Sequence, residues 1–137
     1  MKITVEALVR APMEAVWQAW TTPEDIVAWN TASPDWHTTR ASVDLREGGS
    51  FSSRMEAKDG SMGFDFAGTY TTVEPHQLIV CQLGDRELRV AFSQGADGVT
   101  VSETFDSEPT HSIEQQQQGW QAILDSFVRH VEQKAGA

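Results

Sequence analysis

Glu103 stands in the run Val99-Thr100-Val101-Ser102-Glu103-Thr104-Phe105. Side chains of an extended chain alternate between faces, so Glu103 shares a side with Val99, Val101 and Phe105. A carboxylate on an apolar face needs a partner, or a raised pKa that keeps it neutral. Such an acid is suited to gripping a ligand hydroxyl or to moving a proton. The blander resolution is an ion pair with a strand arginine, Arg40 or Arg89, or a bulge that turns the acid outward.

A second polar interruption lies near the C-terminus. Gln117, Gln116 and Ile113 precede Trp120 by three, four and seven residues, so on a helix they prolong its stripe toward the N-terminal end. Buried amides need partners such as water or ligand, which suggests that this end lines a cavity. Gly119 supports that reading, because a glycine costs a helix about 1 kcal/mol against alanine and leaves space beside it. The alternative is that the glutamines lie at a frayed, exposed end.

Phe64, Phe66 and Tyr70 fall on one face of a third segment, with Gly68 between two of the rings leaving space beside them. Aromatic walls with one hydroxyl suit a flat or hydrophobic ligand, although plain core packing explains such rings equally well. Trp29, Trp36 and His37 belong to the segment that joins the first helices to the strands. In Asp35-Trp36-His37 only Asp35 and His37 share a side, and no serine or cysteine sits in a recognisable motif for such a pair to activate. Cys81, the one cysteine, lies in Leu78-Ile79-Val80-Cys81 and reads as a small buried hydrophobe. It excludes an internal disulfide and a cysteine metal cluster. His76, His111 and His130 are dispersed and match no metal-ligand spacing, so no metal or cofactor is called for. Asp44 and Arg46 read as an ion pair at a sheet end. The following Gly48-Gly49 is a hairpin turn and not a phosphate loop, since no helix follows it.

These residues need elements to hold them. Ile3, Val5 and Ala7 alternate with Thr4 and Glu6, a half-buried strand. Pro12 opens a short helix whose Met13, Val16, Trp17 and Trp20 make one stripe. Thr22-Pro23-Glu24-Asp25 starts another, with Thr22 as N-cap and Ile26 and Trp29 on its buried side. Strands are expected over 37–45, 50–57, 63–73, 77–83, 87–93 and 98–106, with turn signals such as Lys58-Asp59-Gly60 and Glu74-Pro75-His76 between them. Strands so close in sequence pair as antiparallel hairpins. Ser112 and Gln115 make a capping box, and Ile113, Trp120, Ile123, Leu124, Phe127, Val128 and Val131 trace one apolar face over about five turns. A seven-stranded sheet must curl around that long helix to bury both faces. The expected architecture is α+β, a curved antiparallel sheet gripping the C-terminal helix, with residues 1–137 as a single domain.

Composition narrows the partners. The 137 residues carry 20 acidic and 10 basic side chains, a formal charge of −10. That surface repels nucleic-acid backbones and anionic lipid, and the basic residues form no patch. The N-terminus alternates polar and apolar residues instead of forming a signal peptide, and nothing approaches a membrane span, so a cytoplasmic protein is expected. The oligomeric state stays open, a homodimer included.

The order of elements, with Ala11-Pro12, Val16-Trp17, Asp44-Leu45-Arg46-Glu47-Gly48-Gly49, Gly63-Phe64-Asp65-Phe66 and Gln118-Gly119-Trp120, resembles the helix-grip superfamily of START domains, pollen-allergen-like proteins and polyketide cyclases. Within it the chain is similar to bacterial proteins of the heat-shock-chaperone ATPase activator homology family. The resemblance implies a pocket and no particular reaction. The leading expectation is a carrier or sensor of a small hydrophobic molecule (a lipid, polyphenol or polyketide-like metabolite), with Trp29, Trp36, His37, Phe64, Phe66, Tyr70, Glu103, Gln116, Gln117 and Trp120 as candidate ligand contacts. A cyclase, dehydratase or hydrolase is the alternative, with Glu103 and either Tyr70 or His37 moving protons. A chaperone partner ranks last, since the sequence shows no additional N-terminal region of the kind that eukaryotic activators carry.

Overall fold

In the computed structural model, which describes residues 1–136, the elements run β1 (Lys2–Val9), α1 (Met13–Thr21), α2 (Pro23–Trp29), β2 (Trp36–Val43), β3 (Ser50–Ala57), β4 (Gly63–Glu74), β5 (Leu78–Leu83), β6 (Arg86–Gln94), β7 (Val99–Asp106) and α3 (Ile113–Gly136). The strands form one antiparallel sheet in the order β1-β7-β6-β5-β4-β3-β2. Strands β2 to β7 are a meander of successive hairpins. β1 crosses to the far edge and pairs with β7, Val5 opposite Glu103.

Two register shifts, between Thr38 and Arg40 and between Tyr70 and Thr72, curl the sheet, because a bulge bends its strand and sharpens the local twist. The concave face thus wraps α3 as a half-barrel. The capping box holds α3's start: the Gln115 amide N–H donates to Ser112 Oγ at 3.0 Å, and the Ser112 N–H donates to Gln115 Oε1 at 3.1 Å. Thr22 occupies the N-cap of α2, but its side chain makes no capping hydrogen bond.

The two ends of α3 are packed differently. Leu124, Phe127 and Val131 are fully buried, and Phe127 meets Trp20 and Trp29 with ring centroids 4.9 Å apart in each case. Trp29 is fixed further by its indole N–H, which donates to the Ala19 carbonyl at 2.8 Å. On this side Asp25 is buried and accepts from His130 Nε2 at 2.8 Å and from Lys134 Nζ at 2.7 Å, tying α2 to α3. At the other end Ile113 is exposed, and Trp120 and Ile123 are only half-buried. No helix of the described residues is long and apolar enough to cross a membrane.

Candidate functional site

The hollow lies under the first turns of α3. It is a cavity of about 610 Å³ between the concave sheet, α2 and α3, a size typical of small-molecule sites. Aromatic rings make much of its wall: Trp20, Trp29, Phe51, Phe66, Tyr70 and Trp120. Trp120 stacks on Phe105 at 4.0 Å and meets Phe66 edge-on at 6.0 Å, so one ring joins helix to sheet across the cavity's end. Exposed Phe64, His111 and Gln115 also border the space and form its rim.

Glu103 points into this cavity from the middle of β7 and is 4% exposed. Its cross-strand neighbours are Val5 and Val90. Burial pushes its carboxyl from the ordinary 4.5 up to about 8, with no compensating hydrogen bond or charge. Neither expected arginine pairs with it: Arg40 and Arg89 are exposed, and Arg89 is one residue out of phase, opposite Thr104 and Val80 on the other face of the sheet. Cys81 and Tyr70 face each other across β4 and β5. Burial, then the nearby Glu103, raises the Cys81 thiol to about 12, and burial raises Tyr70 above the usual phenol value. Both are neutral, and the thiol is no nucleophile.

The ten candidate contacts divide on geometry. Trp29, Phe64, Phe66, Tyr70, Glu103, Gln116 and Trp120 line the cavity; Trp36, His37 and Gln117 do not. Trp36 packs on Phe64 at 5.9 Å, beyond the rim. His37 is exposed opposite Glu56, and since paired residues share a face of the sheet, it points to the convex side. No acid–base set of Glu103 with His37 can therefore assemble. Gln117 faces solvent and Gln116 alone turns inward. The helix rotates 100° per residue, and the stripe back from Trp120 passes through position 116. Gln116 is also already satisfied: its amide donates to the carbonyls of Glu108 at 3.0 Å and His111 at 2.8 Å and accepts from the Glu108 N–H at 2.9 Å. It braces the loop before α3.

The glycines also differ from expectation. A Cβ at Gly68 would lie 2.6 Å from the Gln82 carbonyl oxygen and 3.0 Å from Phe51. The absent side chain there admits Phe51, which the sequence reading overlooked, and leaves no free space. At Gly119 a Cβ would meet nothing within 4 Å, so this position opens onto the cavity. Among the described residues no three His, Cys, Asp or Glu side chains converge as a metal site requires.

The family model described as Activator of Hsp90 ATPase homolog 1-like protein matches residues 10–132. The solution structure of an AHSA1-like protein from Aeromonas hydrophila is 51% identical with a TM-score of 0.91, covering 98% of this chain and 94% of that one. A solution structure from Cytophaga hutchinsonii is 47% identical with a TM-score of 0.84, covering 97% and 93%. A crystal structure from Nitrosomonas europaea, 17% identical over 100% and 97% with a TM-score of 0.83, shares the fold. No curated protein matches.

Proposed function

This chain belongs to the Activator of Hsp90 ATPase homolog 1-like family, and from that premise we propose that it takes up a small hydrophobic molecule in the cavity beneath α3, as a carrier or sensor in the cytoplasm. The observation that carries this reading is the 610 Å³ space walled by aromatic rings. Most such interiors are filled to crystal-like density, so a hollow of this size is an expensive feature to keep without an occupant. The polar groups inside are few and hydrogen-bond-capable, which suits orientation of an apolar ligand. Among the described residues no activated nucleophile sits beside a base, so binding accounts for the geometry better than turnover does.

The test uses the open position on α3. Wild-type protein should enhance the fluorescence of the neutral dye Nile red and be stabilised by it in a thermal melt. Gly119→Leu places a side chain into the cavity without meeting an existing atom at Cβ and should abolish both effects while keeping the wild-type circular dichroism. Undiminished dye uptake by the leucine variant would refute the site.

A further inference from the structure

Among the described residues Glu103 is the buried carboxyl that the fold leaves without a partner. Asp25 is equally buried but holds His130 and Lys134. For Glu103 no hydrogen bond or ion pair from a described residue offsets its burial. No side-chain oxygen in the described structure is both sealed from open space and unpartnered, so its carboxyl oxygens open onto the cavity.

Among the described residues no cation pairs with it. β1 presents Ile3, Val5 and Val9, and β6 presents Leu88 and Val90. The titratable groups nearest along the sheet are Cys81 on β5 and Tyr70 on β4, both kept neutral by burial. Arg86 lines the cavity from the start of β6, four residues along the strand from Val90, but it forms no ion pair with Glu103, whose carboxyl is perturbed by burial alone. α3 contributes Gln116, Trp120 and Ile123, and α2 contributes Ile26 and Trp29 with Asn30 just past its end, all uncharged. At the rim Glu108 is paired with His111 at 2.9 Å.

Resting on the cavity-binding reading, we propose that the ligand is a hydrophobic amine whose ammonium group docks on Glu103. A ligand carbonyl or hydroxyl would engage one carboxyl oxygen, whereas an ammonium has three N–H donors and can satisfy both. The rings of Trp20, Trp29, Phe66 and Trp120 in the same wall add the cation–π attraction that aromatic enclosures exert on such groups. The surplus of ten negative charges draws cations toward the protein and repels acids. As the ammonium docks, neutral Glu103 gives its proton to solvent and remains as carboxylate beside the cation; no other bond changes.

Naphthylmethylamine and its neutral isostere naphthylmethanol are the probes, titrated calorimetrically at about pH 6.5 in buffers of different ionisation heat, where an acid with a raised pKa is still protonated. The amine should bind wild-type protein about tenfold or more tightly than the alcohol, the difference expected of a charge-assisted hydrogen bond. It should release close to one proton, and the alcohol none. In Glu103→Gln the amine's advantage over the alcohol and its proton release should both vanish. The wild-type proton count stands even if that variant folds poorly. Equal binding of both probes without proton release would overturn the amine and leave the cavity reading intact. Failure of both probes, together with Nile red, would remove the cavity reading as well.

Discussion

A single carboxyl in an apolar wall has a thermodynamic signature of its own. The folded protein holds the Glu103 proton up to about pH 8, while the unfolded chain releases it near the ordinary 4.5. Between those values folding takes up a proton, so stability must fall as pH rises. The slope for one such group approaches about 1.4 kcal/mol per pH unit in the middle of the window. Urea unfolding of wild-type protein and Glu103→Gln from pH 5 to 8 isolates it, since other groups contribute equally to both. The variant should gain on the wild type with each unit of pH; parallel curves would show the carboxyl to be solvated. Glu103 was legible at this scale because β7 alternates without a break: Val99, Val101, Glu103 and Phe105 are buried and the residues between them half-buried. Its lack of an arginine was not legible, because which outward residue lies opposite depends on register. The inward turn of Gln116 in place of Gln117 was half legible: both sit within a turn of Trp120, and one residue of helix rotation separates a loop brace from a solvated side chain.

At the scale of elements, α3 performs two tasks along one stripe. Its later turns are core: Phe127→Ala should cost about 3–5 kcal/mol in urea unfolding, the usual range for a buried ring. Its early turns border the hollow, where packing gives little, so Gly119→Ala should gain up to about 1 kcal/mol from helix propensity with no clash to offset it. A loss of stability at position 119 would show the space to be filled. The boundaries of helices and strands were readable because turn residues and caps punctuate them, and the Ser112–Gln115 box formed as its spacing requires. The Asp25 clamp was not readable: acids in a first helical turn read as solvated, and His130 lies 105 residues away. Burial alone would raise the Asp25 pKa, but the hydrogen bonds from Lys134 and His130 outweigh it and leave it lowered.

For the whole molecule, the meander follows from short connections, since each hairpin leaves its strand one neighbour to choose. The crossing of β1 to β7 and the two bulges that bend the sheet are long-range outcomes, and the cavity is a mismatch of volumes between sheet and helix that no local pattern encodes. What the sequence does carry globally is charge. Twenty acidic side chains against ten basic ones repel one another most in the compact state, and salt screens that repulsion over about 10 Å at 0.1 M. Few ion pairs oppose the effect, and the surface ones, such as Arg46 with Asp44 at 3.0 Å, contribute little. Added sodium chloride should therefore raise the melting temperature at neutral pH by a few degrees. The rise should vanish near the isoelectric value of 4.6, where the net charge is gone. A melting temperature that falls with salt at neutral pH would mean that specific ion pairs, and not self-repulsion, dominate the electrostatics of this fold.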